Sequence, residues 1–201
     1  SANCALYCGA EIDFVDIDSE SFNMSPIALA AKLELAKKSN RLPKVIIPVH
    51  MGGQSCDMQA IGSLAQQYGI KVIEDASHAI GGTYNSQRIG NCAHSDITIF
   101  SFHPVKIITT GEGGMAVTQD EGLAHSMRML RSHGITRDAT EFEFGNDGPW
   151  YYEQQELGFN YRLTDIAAAL GLSQLQRIDS FIHQRNSIAS RYNEAFASTL
   201  V

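Results

Sequence analysis

Two short apolar runs joined by one amphipathic helix constrain the fold of this chain more than any other feature. The first run occupies residues 45–49, and the second begins at Val72. Between them, Asp57 is a suitable N-cap for a helix. The apolar residues of that helix recur at i, i+3, i+4 and i+7: Ile61, Leu64, Ala65 and Tyr68. Strand, helix and strand with short connections predict a βαβ unit with parallel strands and a right-handed crossover.

The second of these strands ends in acidic residues. Residues 72–79 read V-I-E-D-A-S-H-A, which places Asp75 at the carboxyl end of the strand. Open α/β sheets bind their ligands at that edge. An aspartate that follows a strand is also a common helix N-cap. The position alone therefore leaves both roles open for Asp75.

A lysine follows the next strand in a corresponding place. Residues 96–100, D-I-T-I-F, predict a buried strand that ends near His103, because Pro104 cannot donate to a sheet ladder. Lys106 then lies on a turn, either as a surface lysine or, shielded from water, as an amine nucleophile toward a carbonyl. Asp75 and Lys106 could meet over one crevice. Such a pair indicates pyridoxal 5'-phosphate (PLP), whose pyridine nitrogen needs an anionic partner.

Composition narrows the classes of function. The 201 residues are 44% hydrophobic, enough for one core, and the net charge of −7 argues against nucleic acid or an anionic membrane as the main partner. No apolar run is long enough to span a bilayer, and no signal-peptide pattern is present. The cysteines lack C-x-x-C spacing, so we expect no metal site and reduced thiols in a cytoplasmic protein. They are Cys4, Cys8, Cys56 and Cys92.

The remaining elements are predicted from local patterns. Residues 11–15 suggest a strand, and the glycines around Asn85 suggest a hairpin. Residues 135–156 are aromatic and charged without periodicity, which predicts a long irregular loop. One long helix is expected from Thr164 to the end of the sequence, with apolar residues on one face.

Four segments together resemble a known protein family. They are S-A-N-C-A-L-Y-C-G-A-E-I-D-F-V-D-I-D at residues 1–18, V-I-E-D-A-S-H-A at 72–79, S-F-H-P-V-K-I-I-T-T-G-E-G-G at 101–114 and L-G-F-N-Y-R-L-T-D-I-A-A-A-L-G at 157–171. In this order, and over essentially the whole chain, they resemble the DegT-type PLP-dependent nucleotide-sugar aminotransferases. Within that family the resemblance points to the branch of pseudaminic acid biosynthesis, which acts on a UDP-linked 4-keto-6-deoxy-N-acetyl sugar.

The resemblance implies an α/β fold, the large PLP-binding domain of the aspartate-aminotransferase-like (fold type I) architecture. Its sheet would be mixed but mostly parallel and flanked by helices. Residues 1–201 would be a partial domain, with about eighty residues before Ser1 that include a phosphate-binding turn, and a smaller domain after Val201. We therefore expect the segment alone to be inactive.

The resemblance also implies roles for residues at the cofactor. Lys106 would bond covalently to PLP and move protons, and Asp75 would pair with the pyridine nitrogen. His78 would lie against the cofactor ring or its 3-oxygen; a partly buried, hydrogen-bonded histidine is the alternative. Ser101 would donate to the PLP phosphate, or only cap the end of its strand.

Three further positions are assigned through the resemblance. His103 either meets the nucleotide sugar or only shapes the turn before Pro104. Asn160 would reach the PLP phosphate in the neighbouring subunit, and Arg162 would contact substrate there. The alternative for this segment is a plain approach to a helix, with Arg162 paired to Asp165. The remaining polar residues of the motifs are unassigned: Glu74, Thr109 and Thr110.

The expected function is amino transfer from glutamate to the 4-keto carbon of a UDP-linked sugar, by a cytoplasmic homodimer with shared active sites. Neither nucleic acid nor membrane is an expected partner. Family members that dehydrate their substrate carry histidine in place of the lysine, so Lys106 disfavours that reaction. A non-catalytic regulatory or sensing protein of the same fold remains the alternative function.

Overall fold

A computed structural model describes residues 1–199. Its helices are α1 (Ala2–Tyr7), α2 (Pro26–Lys38), α3 (Met58–Tyr68), α4 (Glu121–Arg131), α5 (Asp165–Leu175) and α6 (Ile178–Phe196). Its strands are β1 (Val45–Ile46), β2 (Lys71–Asp75), β3 (Thr83–Tyr84), β4 (Gln87–Arg88), β5 (Ile97–Ser101), β6 (Gly114–Val117), β7 (Ile135–Thr136) and β8 (Glu153–Gln154). Two single 3-10 turns occupy Met51–Gly53 and Ala139–Glu141.

The central sheet has the strand order β1-β2-β5-β6. Its first three strands are parallel, and β6 runs antiparallel to β5. The predicted βαβ unit is present as β1, α3 and β2, and the predicted hairpin is formed by β3 and β4. The sheet is therefore mixed and mostly parallel, which confirms the predicted fold class.

The core of this unit is built by α3 against the sheet. Asp57 caps the helix by accepting a hydrogen bond from the Ala60 amide at 3.1 Å, and Gly69 ends it in the left-handed conformation at φ 67°. The apolar face between these ends packs with α2 and the first two strands. The buried residues of this shared core include Leu29, Leu33, Ile46, Met58, Ile61, Ala65 and Val72.

Residues 11–15 do not form the predicted strand. Asp13 accepts a hydrogen bond from the Phe14 amide, and Asp16 accepts one from the Ile17 amide, each at 2.8 Å. Aspartate side chains that bond to neighbouring amides compete with sheet pairing. Only a single bridge, between Ile17 and Met24, forms in this part of the chain.

The predicted long terminal helix is instead two helices, α5 and α6, separated at Gln176 and Arg177. The two helices contact different parts of the chain. In α5 the Gln174 side chain accepts from the Thr109 amide at 3.1 Å and donates to the Thr109 carbonyl at 3.2 Å. In α6 Asp179 pairs with Arg88 of the hairpin at 2.6 Å.

Residues 135–156 are more ordered than an irregular loop. Strands β7 and β8 pair antiparallel within this stretch. The buried Glu153 carboxylate accepts hydrogen bonds from the Glu143 amide at 2.7 Å and the Phe144 amide at 2.9 Å. Burial raises the pKa of Glu153, but these bonds outweigh it and hold the pKa below its ordinary value. An ionised carboxylate thus holds the backbone at Glu143 and Phe144 against β8.

No helix among residues 1–199 is both long and apolar enough to cross a bilayer.

Candidate active site

The two residues singled out by the sequence come to one edge of the sheet. Asp75 is the last residue of β2, and its register partner in the neighbouring parallel strand is Ile99. That strand ends at Ser101, two residues before the predicted end. Lys106 follows on a turn in which its amide donates to the His103 carbonyl at 2.9 Å. Because parallel neighbours end at the same edge, Asp75 and Lys106 belong to one surface.

Asp75 is only 7% exposed, and both of its carboxylate oxygens accept hydrogen bonds. Ser1 donates its hydroxyl to Oδ2, and the Ser77 amide donates to Oδ1 at 3.1 Å. Burial raises the pKa of Asp75, but the hydrogen bonds from Ser1 and Ser77 outweigh it and hold the pKa below its ordinary value. No α-helix begins at this point, so Asp75 is a buried anion rather than a helix cap.

Lys106 is half-buried on its turn. Among residues 1–199 its ammonium group has no carboxylate within ion-pair distance. A lysine on a strand-end turn, without a fixed anionic partner, is available to a ligand that carries a carbonyl.

His78 is exposed beside this edge. Its Nδ1 accepts a hydrogen bond from the Gly52 amide at 3.3 Å. Gly53 lies so close to the His78 carbonyl that an added Cβ would stand 2.9 Å from its oxygen. The turn Met51–Gly53 therefore packs directly on the segment after Asp75. Of the alternative for His78, a partly buried and hydrogen-bonded histidine, the hydrogen bond is present, but the side chain is exposed.

Ser101 and His103 organise the turn that carries Lys106. The Ser101 hydroxyl accepts from the His103 amide at 3.4 Å, and His103 Nδ1 accepts from the Val105 amide at 3.2 Å. His103 Nε2 lies 4.0 Å from a Glu112 carboxylate oxygen. Ser101 thus caps the end of its strand and His103 shapes the turn at Pro104, which are the local roles that the sequence left open for them. The ring of His103 remains exposed.

Asn160 and Arg162 lie on the segment that follows β8. The segment is fastened to the end of α4, where Phe159 donates to the Leu130 carbonyl at 2.6 Å and Tyr161 donates to the Arg131 carbonyl at 2.9 Å. Asn160 and Arg162 are exposed. No ion pair between Arg162 and Asp165 forms within the described residues.

Sequence reasoning missed the residues that support this edge. Ser1 and Ser77 hold the Asp75 carboxylate, and Ser77 had a local signal because it stands two residues after an aspartate. Glu74 and His50 form a buried pair at 2.8 Å. Glu74 also had a signal, since a glutamate inside an apolar strand requires buried partners.

Comparison with known proteins gives a consistent result. The DegT/DnrJ/EryC1/StrS aminotransferase family matches residues 1–200. The chain is 40% identical to UDP-4-amino-4,6-dideoxy-N-acetyl-beta-L-altrosamine transaminase of Campylobacter jejuni and 42% identical to GDP-perosamine synthase of Caulobacter vibrioides. Each alignment covers 98% of this chain and 48% of the relative.

Solved structures agree with this result. The fold superposes with a TM-score of 0.86 on PseC of Helicobacter pylori, an aminotransferase involved in the biosynthesis of pseudoaminic acid. The two are 31% identical in sequence, and the match covers 98% of this chain and 48% of that one. The chain thus spans about half the length of the curated relatives and of the solved structure that it matches.

Proposed function

Because the chain belongs to the DegT/DnrJ/EryC1/StrS aminotransferase family, whose members are PLP-dependent, we propose that the full-length protein transfers an amino group from glutamate to the 4-keto carbon of a nucleotide-linked 4-keto-6-deoxy sugar. One observation carries the proposal. An ionised, buried Asp75 ends one strand, and a half-buried Lys106 lies on the turn that follows the adjacent parallel strand.

The chemistry of this edge fits PLP. The cofactor has a basic ring nitrogen, which suits the Asp75 anion, and an aldehyde, which suits the Lys106 amine. Each Asp75 oxygen already accepts one hydrogen bond, and a carboxylate oxygen has capacity for a second. His78, Ser101 and, from the neighbouring subunit, Asn160 are the further residues that we assign to the cofactor.

The residues of the chain divide the work of the proposed reaction. When bound, PLP supplies the electron sink and the carbonyl that carries the amino group. Asp75 keeps a proton on the ring nitrogen, because an anion close to a protonated nitrogen stabilises it. Lys106 would hold the cofactor covalently and, when released, its amine would move a proton at the carbon that bears the amino group. His103 and Arg162 are assigned to the substrate.

The finer substrate assignment is a UDP-linked N-acetyl sugar of the pseudaminic acid pathway. It is supported by the names of the Campylobacter relative and of the Helicobacter structure. The Caulobacter relative is named for a GDP sugar, so the nucleotide must be tested directly. We also assign the protein to the cytoplasm, which suits its free thiols, and to a homodimer with shared sites.

A panel assay tests the proposal. The full-length protein is incubated with PLP, glutamate and UDP-, GDP- or dTDP-linked 4-keto sugars, and the amino sugar product is measured by mass spectrometry. The control is Lys106→Ala, which should give no product. Conversion of the UDP substrate supports the assignment in full, and preference for GDP or dTDP corrects the nucleotide. Absorbance of bound PLP without turnover of any sugar would favour the sensing role instead.

A further inference from the structure

One histidine that has no assigned role, His50, is completely buried next to the strand end that carries Asp75. The His50 side chain has no solvent exposure, and both of its ring nitrogens are engaged. The Cys56 amide donates to Nδ1 at 3.1 Å, and Nε2 lies 2.8 Å from a Glu74 carboxylate oxygen. Because a main-chain amide can only donate, Nδ1 carries a lone pair. Nε2 therefore carries the hydrogen and donates it to Glu74.

Glu74 completes a closed polar network on the side of β2 opposite to Asp75, since successive side chains in a strand alternate. Its other oxygen accepts from the Ser95 hydroxyl and from the Thr98 hydroxyl, the latter at 3.2 Å. Burial raises the pKa of Glu74, but the hydrogen bonds from His50, Ser95 and Thr98 hold it below its ordinary value. A buried charge is tolerated because every partner is in place.

The backbone of His50 connects this network to the candidate site. The His50 amide donates to the Asp75 carbonyl at 3.0 Å, and the Asp75 amide donates to the Pro48 carbonyl at 2.9 Å. The turn that begins after His50 donates from Gly52 to His78 Nδ1 at 3.3 Å. His50 therefore contacts the backbone of Asp75 and precedes the turn that supports His78.

We propose that His50 is a positioning residue of the cofactor site: through its bond to Glu74 it fixes the end of β2 and the turn Met51–Gly53, and so sets Asp75 and His78 relative to the cofactor. The proposal rests on the proposed function insofar as PLP is the ligand. The placement of the turn itself does not depend on that function.

Three variants of the full-length protein test it. His50→Leu removes both ring contacts at similar volume. His50→Gln keeps a donor for Glu74 and loses the acceptor for the Cys56 amide, so it should lose less PLP affinity than His50→Leu. It also keeps the test usable if His50→Leu fails to fold. Leu33→Ala is the control, because it cuts a cavity in the same core away from Asp75.

The first measurement is the dissociation constant of PLP for the apo protein, followed by absorbance. We expect it to rise about tenfold in His50→Leu, less in His50→Gln and less than about twofold in Leu33→Ala, since small displacements of supporting residues are strongly felt at a site. An unchanged constant in His50→Leu would overturn the proposal. So would an equal rise in Leu33→Ala at a matched loss of melting temperature.

The second measurement needs no PLP. Hydrogen exchange followed by mass spectrometry reads the amides of residues 51–56 and 75–79 in the apo protein. Both segments should exchange faster in His50→Leu than in Leu33→Ala, and equal protection in the two would overturn the role of His50. If the unaltered protein failed to bind PLP, the proposed function would fail and the proposed positioning of a cofactor with it. The exchange data would still decide whether His50 holds the turn.

Discussion

Asp75 retains its charge in a buried position because two neighbours donate to it, and this charge is the property that the proposed chemistry uses. Asp75→Asn keeps the shape of the side chain and removes the anion. In the full-length protein we expect the rate of amino transfer to fall at least about a hundredfold, which corresponds to roughly 2.7 kcal/mol of transition-state stabilisation. The measurement is kcat/KM with glutamate and the best keto sugar.

A matched control for this change is Asp120→Asn. Asp120 caps α4 by accepting from the Leu123 amide at 2.8 Å, and asparagine caps a helix about as well as aspartate. We expect its activity to stay close to that of the parent. Asp75→Asn with activity within a few-fold of the parent would mean that the Asp75 charge has no part in the reaction.

Glu74 predicts how stability depends on pH. Its folded pKa lies below the reference value of 4.5, so its contribution to the free energy of unfolding is present above that value and is lost as the pH falls through the folded pKa. Glu74→Gln can keep the hydrogen bonds if its amide donates to the Ser95 and Thr98 hydroxyls. Urea unfolding of the full-length protein between pH 3 and pH 7 should show a shallower acid limb in the variant. Identical slopes in the two proteins would contradict the assignment.

The sequence predicts the main residues of the candidate site, Asp75 and Lys106, but not most of the residues that hold Asp75 and Glu74 in place. Asp75 and Lys106 are found because each follows an apolar run, which is a local pattern. Apart from Ser77, the partners of Asp75 and Glu74 come from distant parts of the chain: Ser1 is 74 residues from Asp75, and His50 is 24 residues from Glu74. No local pattern encodes such contacts, because they exist only once the strands have paired.

Among the elements, those with a cap and a periodic face were predicted well, as α3 shows with Asp57 and Gly69. Elements whose ends or pairing depend on residues far away in the sequence were predicted poorly. The break between α5 and α6 has neither proline nor glycine at Gln176 and Arg177 to mark it, and the helices on its two sides contact different partners, Thr109 and Arg88. The pairing of β7 with β8 likewise has no periodic signal.

The backbone at Gly134 lies so close to the backbone at Glu156 that the effect of replacing this glycine can be predicted. Gly134 has φ 63°, and a Cβ there would collide with the Glu156 carbonyl, where the end of α4 meets the chain after β8. Gly134→Ala should lower the free energy of unfolding by about 1–3 kcal/mol more than a matched change without the collision, because the two backbones must move apart to make room for the methyl group. The matched change is Gly69→Ala, since Gly69 has φ 67° and open space around its Cα. Equal losses in urea unfolding would show that only backbone strain matters at Gly134.

Residues 1–199 leave many large apolar side chains exposed to solvent. Neither α5 nor α6 contains a buried residue. Large apolar side chains stand exposed along both helices and on the segment before them: Leu157, Phe159, Tyr161, Ile166, Leu172, Ile188, Tyr192 and Phe196. Exposed apolar surface of this extent favours association. Sequence periodicity identifies such faces but does not reveal what covers them.

The proposed homodimer makes a prediction that depends on both subunits. Asn160 is exposed between two exposed aromatic residues, Phe159 and Tyr161, whose rings stack at 4.7 Å. Its amide has two donors that suit a phosphate oxygen. If it completes the neighbouring site, full-length Lys106→Ala chains mixed with Asn160→Ala chains place both defects in one site of each heterodimer and leave the other site intact. Mixing should then restore up to about half of the parental activity per heterodimer, as two-fold symmetry requires.

The two parent variants, each assayed alone after the same dissociation and reassociation, are the control for this mixture. Asn160→Ala is expected to weaken PLP retention without altering the Lys106 amine, so borohydride reduction with PLP should still label Lys106 in that chain. If Asn160 instead acts within its own subunit, every heterodimer carries one defect in each site. Activity after mixing would then equal the average of the two separate variants, and the shared site would be excluded.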